Sequence, residues 1–470
     1  MKEWKMYING EWVTADEQIQ VVNPATGETF ASVPKGGAVE AKQAVDAAYE
    51  AFRTWSQKTA GERSELLRNW HRLIDEHKEE IGRIMTEEQG KPLQEAIGEV
   101  NYANSFILWY AEEGKRVYGE TIPASDPKKR LFVSRQPVGV VAAITPWNFP
   151  AAMITRKVGP ALASGCTAVV KPASSTPLTA LKLVELAHEA GIPKGVLNVV
   201  TGDSKSVAGS WMEDSRVRKV TFTGSTEIGK VLMKQAADTM KKVSLELGGH
   251  APFIVTANAD IQKAAKGLIG SKFRNAGQTC VCANRVYVHE SIEQEFTEAF
   301  KAEVAKLRVG NGMEEGVTIG PLIDADAVEK VQNQLKDAKE KGAVIQMGGE
   351  ADGNFITPAV LTNVTDDMEC MVEETFGPLA PIATYRTTEE VIERANNTPF
   401  GLAAYVFSEN ISEAIAISEG LEYGIVGLND GLPSVAQAPF GGFKESGLGR
   451  EGGHHGMEEF LEVKYISLGL

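Results

Sequence analysis

Cys280 closes the stretch FRNAGQTC at 273–280. In a polar, glycine-containing segment a thiol can stand exposed and act as a nucleophile, although a lone cysteine is usually a small core residue. Glu246 lies in LELGG at 245–249, an acid among apolar residues and glycines. Such a carboxyl is either half of a buried ion pair or a group of raised pKa suited to general-base work. Asn148, between Trp147 and Phe149, is an amide in an apolar loop. It can form a turn or donate to a developing oxyanion. Taken singly, each residue keeps both readings.

Two glycine-rich segments imitate nucleotide motifs. GSTEIGK at 224–230 follows a predicted strand and opens a predicted helix, but Val231 stands where a triphosphate loop needs Ser or Thr for Mg²⁺. Glu227 would also set a negative charge beside phosphates. What survives is a helix amino terminus whose amides attract phosphate, a need that the pyrophosphate of a dinucleotide meets without a metal. GLGREG at 447–452 matches a dinucleotide fingerprint, yet only 18 residues follow it, too few for a βαβ unit of roughly 30 residues. It reads as a flexible turn. His454 and His455 are adjacent rather than spaced along one face, and HExxH does not occur, so no metal site is expected.

The elements that must position these residues follow from periodicity. Asn9-Gly10 between short apolar runs predicts a type I′ hairpin over 7–13. Val45, Ala48, Phe52 and Trp55 give one amphipathic helix. Leu66, Trp70, Leu73 and Ile74 give a second, ended by Gly90 and Pro92. From 138 onward strands alternate with turn-rich loops and helices. Strands are predicted at 138–144, 167–170, 196–200 and 220–223, the pattern of a doubly wound parallel sheet whose ligands bind at the carboxyl ends of the strands. After about 256 the alternation continues, with a long helix over 292–307 and strands at 285–288, 382–385 and 403–407. The segments 130–136 and 461–466 alternate like edge strands, pairing with another subunit or capping a sheet.

A chain of 470 residues with 43% hydrophobic and 24% charged residues is globular and long enough for two or three domains. The net charge of -15 argues against nucleic-acid and anionic-membrane partners. Four cysteines, Cys166, Cys280, Cys282 and Cys370, are too few for a disulfide framework and fit a reducing cytoplasm. The amino terminus lacks a signal-peptide pattern, and the longest apolar run, near 138–144, is far short of the ~20 residues of a membrane span. A soluble cytoplasmic protein is expected.

Taken together, the motifs TPWNFP at 145–150, KPAS at 171–174, FTGSTEIG at 222–229, ELGG at 246–249, GQTC at 277–280, EETFGP at 373–378 and PFGGFKESGLGRE at 439–451 resemble the aldehyde dehydrogenase superfamily from near the start of the chain to its end. The resemblance implies an α/β fold. A Rossmann-like doubly wound cofactor domain would take 1–123 and 142–253, and a second α/β catalytic domain 254–445. A small β oligomerisation element would take 124–141 and 446–470, in a homodimer or homotetramer. It implies that Cys280 is the nucleophile and Glu246 the general base, with Asn148 and the Cys280 amide holding the oxyanion. It implies NAD or NADP as cofactor and no metal. Thr145, Pro146, Trp147, Lys171, Ser174, Gly224, Ser225, Gly229, Leu247, Glu374 and Phe376 would form the cofactor site. Ser174 stands where many NAD-preferring members carry Glu, a carboxylate that would repel a 2′-phosphate, so NADP is expected to be used at least as well as NAD. His250 stands where Asn is frequent and leaves the catalytic reading intact.

Within the superfamily the segments AAMITRKVGPALASGCT at 151–167 and FRNAGQTCVCANR at 273–285 are most similar to succinate-semialdehyde dehydrogenases. That resemblance places Arg156, Arg274 and Ser434, with Phe440, around the distal carboxylate of the substrate; the other reading makes both arginines structural. Glutarate semialdehyde, one methylene longer, differs by only about 1–3 kcal/mol of discrimination. Two further readings are a broad-specificity small-aldehyde dehydrogenase and a non-catalytic protein of the same fold. Arg274 opposes the first, since a guanidinium is costly beside an apolar substrate. The intact Cys280, Glu246 and Asn148 oppose the second. Cys282, one residue beyond Cys280, is either its redox partner or a core residue.

Overall fold

The structure, a computed structural model, describes residues 2–470. Five parallel strands form the centre of an eight-stranded sheet, in the order Lys242–Glu246, Val217–Thr223, Val140–Ile144, Thr167–Lys171, Leu197–Val199. The chain starts in the middle, runs outward through Thr167–Lys171 and Leu197–Val199, and then returns to build the other half. The strand order therefore reverses between Val140–Ile144 and Val217–Thr223. A crevice opens there at the carboxyl ends, between the loops TPWNFP and GSTEIG. Antiparallel strands close both edges: Gly447–Leu448 on one side, and the hairpin of Met6–Ile8 and Glu11–Val13 on the other. Asn9 and Gly10 at the hairpin tip have φ of +54° and +84°, as a type I′ turn requires.

The chain passes straight from Glu246 through Leu247, Gly248, Gly249 and His250 into Ala251–Val255, a central strand of a second, seven-stranded sheet. The carboxyl end of the first sheet thus meets the amino end of the second. Ala283–His289 pairs in parallel with Ala251–Val255, with Ala251 opposite Ala283. Cys280, three residues before that strand, is drawn by this register to the seam. A Cβ on Gly249 would collide with the Cys280 carbonyl, so the close approach of the two segments requires glycine there.

Helices Ala38–Trp55 and Ala60–Glu76 follow the apolar stripes read from the sequence. Their buried indoles are satisfied: Trp55 Nε1 donates to the Leu162 carbonyl at 3.2 Å and Trp70 Nε1 to that of Leu183 at 3.0 Å. Truncating either to Ala would cost about 3–5 kcal/mol. The second pattern is two helices rather than one. Ala60–Glu76 stops at His77, whose ψ of 12° departs from helix and whose Nδ1 bonds the Leu73 carbonyl at 2.9 Å. Gly90, with φ of +93°, ends a separate helix, Lys78–Gln89.

The two segments read as edge strands pair with each other. Lys129–Pro137 runs antiparallel to Leu461–Gly469, from Pro137 opposite Leu461 to Lys129 opposite Gly469, and Glu120–Ile122 completes a three-stranded sheet. Val463, Tyr465 and Leu468 of its outer strand are exposed. Among the described residues no helix is long and apolar enough to cross a membrane.

Candidate active site

The loop that presents Cys280 is strained. Helix Ile261–Phe273 ends, and Asn275, Ala276 and Gly277 follow with φ of +52°, +53° and +79°. For Ala that conformation costs roughly 1–2 kcal/mol, so contacts elsewhere must impose it. The Asn275 amide donates to Glu95 Oε1 at 2.6 Å, and Asn275 Nδ2 donates to the Asn148 carbonyl at 3.0 Å. Gln278 Nε2 donates back to the Asn275 carbonyl at 3.0 Å, while Gln278 Oε1 accepts from the Ile323 amide at 3.0 Å.

The Cys280 thiol, half-buried in this loop, stands between two cavities. A cleft of about 330 Å³ is walled by Pro146, Trp147, Gly224, Leu247, Glu374 and Phe376. On the other side a cavity of only about 20 Å³ is walled by Tyr102, Phe149, Arg156, Arg274, Ser434 and Phe440. One sulfur atom can therefore face two ligands at once. Burial pushes its pKa up to about 12; Arg156 and Arg274 pull it down, while Glu374 and Glu246 push it further up. The resting group is a thiol, and its attack requires proton removal.

Glu246 is the last residue of Lys242–Glu246, and its Oε2 is buried without a partner. Burial raises its pKa well above the usual carboxylate range, Glu451 raises it further, and Arg156 and Lys157 oppose the rise. A carboxyl whose pKa is raised in this way suits a general base. Gly441, from the PFGGF segment, leaves room for it: a Cβ there would come within 2.9 Å of Glu246 Oε1. The GLGREG segment braces the same strand, with Gly447 opposite Glu246 and Leu448 opposite Leu245. Its first two residues are an edge strand of the sheet rather than a free turn.

Asn148 is buried, and its Nδ2 donates one hydrogen to the Gln278 carbonyl at 3.0 Å. The second hydrogen on that nitrogen remains for a ligand oxygen. The loop is anchored at both ends: the Thr145 amide donates to the Lys171 carbonyl at 3.1 Å, and Thr176 Oγ1 to that of Trp147 at 3.3 Å.

The cleft has the parts of a dinucleotide cradle. Ser225 caps helix Thr226–Ala236, its Oγ accepting from the Ile228 amide at 3.4 Å. The free amides of that first turn attract phosphate. Gly229 lies against Leu247, where a Cβ would collide. Trp147 and Phe376 meet edge to face at 5.6 Å. Glu374 Oε1 accepts from the Gly249 amide at 3.1 Å, and burial raises its pKa to about 7 against that bond. Lys171 and Ser174 lie beyond the cleft, after the neighbouring strand. Lys171 Nζ donates to Ser174 Oγ at 3.4 Å, and burial lowers its pKa to about 8 against the pull of Asp203. No carboxylate stands at position 174; the groups there are the Lys171 ammonium and the Ser174 hydroxyl. The residues present fit the group. Thr145, though buried in the same loop, is not part of the cleft wall.

The smaller cavity separates the two arginines. Arg156 is buried, ion-paired with Glu451 at 2.7 Å, and stacked 3.8 Å from the centre of the Phe440 ring. Arg156 shares the Glu451 carboxylate with Lys157, so the two arginines stand in different surroundings although both line the cavity. Arg274 lies 5.1 Å from the Phe149 ring, and among the described residues it makes no ion pair. Ser434 and Phe440 line the same cavity. Cys282 is not placed as a redox partner. The Cys282 amide bonds the Thr279 carbonyl at 3.0 Å in a tight turn, and the thiol points into the core, where it accepts from Lys272 Nζ at 3.3 Å.

Four residues escaped sequence reading. Glu451 pairs with Arg156 and Lys157 beside Glu246; it closes the last quoted motif, so its signal was present. Tyr102 lines the aldehyde-side cavity, with nothing local to mark it. Lys91 and Glu99, fully buried and ion-paired, hold the loop of Asn148. Only the unusual GKP at 90–92 hinted at Lys91.

Comparison with known proteins agrees with this arrangement. The profile of the aldehyde dehydrogenase family matches residues 12–466. A glutarate-semialdehyde dehydrogenase of Pseudomonas putida is 57% identical over 465 residues, covering 98% of this chain and 97% of that protein. The NADP(+) succinate-semialdehyde dehydrogenase GabD of Escherichia coli is 56% identical over 468 residues, covering 98% and 97%. The crystal structure of an Escherichia coli NADP-dependent enzyme superposes with a TM-score of 0.99 at 55% identity, covering 100% of this chain and 98% of that one.

Proposed function

We propose, from the premise that the chain belongs to the aldehyde dehydrogenase family, that it oxidises succinate semialdehyde to succinate with NADP+ through a thioester on Cys280. The observation that carries the substrate is the small cavity against Cys280, whose wall holds Arg274 with no carboxylate of its own. A four-carbon semialdehyde puts its carboxylate a few ångströms from the carbon under attack. A guanidinium can take that group with two parallel charge-assisted bonds. The cavity of about 20 Å³ has room for roughly one water, so the substrate enters by displacing flexible walls, of which Arg274 and Met153 are the longest. Glutarate semialdehyde is the second reading, favoured by the 57% identity to a relative of that name. The experiment is a panel of succinate semialdehyde, glutarate semialdehyde and butanal, followed by absorbance of reduced cofactor. The proposal fails if butanal matches the acids in kcat/KM.

The residues divide the work. Water beside Cys280 takes its proton and passes it to solvent, which leaves the Glu246 carboxylate free for the later step. The thiolate adds to the aldehyde carbon, and the new oxyanion is held by Asn148 Nδ2 and the Cys280 amide. Such preorganised donors are worth about 10²–10³-fold each. The chemistry that the bound dinucleotide supplies is hydride acceptance. Trp147, Glu374 and Phe376 would hold its nicotinamide end, and Ser225 with the free amides of the first turn of Thr226–Ala236 would hold its phosphates. Glu246 then removes a proton from the water that hydrolyses the thioester. Ser174 and Lys171 support NADP+ over NAD+. The exposed strand Leu461–Gly469, with Val463 and Tyr465 facing solvent, supports a homodimer or homotetramer. Light scattering tests it, and a monomer at micromolar concentration would count against it.

A further inference from the structure

Helix Leu93–Glu113 and the Lys91 that precedes it direct three charged groups at the two catalytic loops. Glu95 and Glu99 are four residues apart and so share a face. Glu99 Oε1 accepts from the amides of Ala151 and Ala152 at 2.9 and 3.2 Å, and Glu99 Oε2 is paired with Lys91. Lys91 Nζ donates to the Asn148 carbonyl at 2.8 Å and lies 4.0 Å from the centre of the Phe149 ring. Glu95 Oε1 takes the amide of Asn275, the strained residue five positions before Cys280, while Asn275 Nδ2 donates to the same Asn148 carbonyl. Side chains of Lys91 and Glu99 are 0% and 1% exposed.

The base of this array is packed closely against the 310–320 segment. The Leu93 amide donates to the Gly312 carbonyl at 2.9 Å. A Cβ on Gly312 or Gly320 would run into the backbone of Gly90 and Lys91. A buried ion pair adds little stability over apolar residues of the same size. What Lys91 and Glu99 add is direction, since each charge ends on a backbone group of the Asn148 loop.

We propose that Lys91 and Glu99, seconded by Glu95, are positioning residues that fix the distance between the Asn148 amide and Cys280. They would thereby set how well the oxyanion is held. The inference rests on the reading of Asn148 as oxyanion donor. Misplacing that donor weakens the transition state and leaves substrate and dinucleotide binding alone, because the oxyanion exists only after attack.

A double-mutant cycle tests it, with Lys91→Met, Asn148→Ala and the double variant of the full-length enzyme assayed with succinate semialdehyde and NADP+. Asn148→Ala should lower kcat by about 10²–10³-fold. Lys91→Met should lower it by roughly 10–100-fold, a large part of the same effect. KM for both ligands and Kd for NADP+, read by protein fluorescence, should stay within about threefold. Lys91→Arg should recover most of the loss. The double variant should be no slower than Asn148→Ala alone, since a donor already absent cannot be misplaced. Losses that multiply, or a Lys91→Met effect carried mainly by KM or by a parallel loss of folded protein, would overturn the proposal. Should Lys91→Met not accumulate, Glu99→Gln, which keeps the shape and an acceptor oxygen, goes through the same cycle with the same two outcomes. If Asn148→Ala itself keeps full kcat, the oxyanion reading is wrong and the positioning role falls with it. If only the coupling is missing, the positioning role alone is wrong.

Discussion

Replacing Arg274 by Ala separates a substrate-binding arginine from a structural one. Arg274 makes no ion pair among the described residues, whereas Arg156 is already matched by Glu451 at 2.7 Å, so Arg156 cannot take over the lost role without abandoning Glu451. The distal carboxylate would then enter a partly dry cavity without its main partner. Truncating one side of such a pair costs about 2–5 kcal/mol. At ~1.4 kcal/mol per decade, kcat/KM for succinate semialdehyde should fall by roughly 30- to several-thousand-fold. Arg274 is half-buried rather than fully buried, which favours the lower part of that span. Butanal has no carboxylate and should change by less than about threefold, well under one decade of ~1.4 kcal/mol. Arg156→Ala is the contrasting control. It leaves Glu451 with Lys157 as its one remaining partner beside Glu246 and should damage both substrates alike. The assay is initial-rate cofactor reduction with each aldehyde under subsaturating conditions. Equal losses for the two aldehydes in Arg274→Ala would refute the assignment.

Glu246→Gln should slow thioester hydrolysis by about 10²–10⁴-fold and hydride transfer much less, so rapid mixing should show a burst of reduced cofactor before a slow steady state; no burst would give Glu246 another role. The Lys171 ammonium, with a pKa lowered to about 8 by burial, is charged below that pH and neutral above it. Affinity for NADP+ should therefore be full below about pH 8 and fall as pH rises through it, while that for NAD+ changes little; parallel titration of the two dissociation constants checks this. Because the Cys282 thiol faces Lys272 in the core, Cys282→Ser should lose activity to dilute peroxide, and regain it with thiol, as the parent does; an irreversible loss confined to the variant would restore Cys282 as a partner of Cys280.

The sequence singled out Cys280, Glu246 and Asn148 as candidates because each sits at an end of a strand or in a loop beside one, where local composition is unusual. Cys280, Glu246 and Asn148 then meet because the carboxyl end of one sheet abuts the amino end of the next. The alternation of strands and helices, the hairpin at Asn9-Gly10 and the strand character of 130–136 and 461–466 follow from periodicity and turn chemistry, whereas the pairing of those two segments with each other does not. Ion pairs between distant segments leave no such trace. Nothing local marks Glu451 as the partner of Arg156, so the two arginines looked equivalent. Lys91 and Glu99 act on a loop some fifty residues away in sequence and resemble any charged helix start. The helix break at His77 was hidden because the apolar period runs on across it. The sequence left Cys282 open between redox partner and core residue because residues two apart share a face only in a strand, and here a turn closed by the Thr279 carbonyl places Cys282 in the core.

The thioester on Cys280 is tested most directly by trapping it. Glu246→Gln enzyme, mixed with NADP+ and succinate semialdehyde, is quenched in acid during the slow phase, digested and weighed peptide by peptide. The account predicts a succinyl increment on the peptide bearing Cys280, in amount equal to the burst of reduced cofactor and absent from Cys280→Ala. A burst without any acylated peptide, or an adduct on another residue, would contradict it.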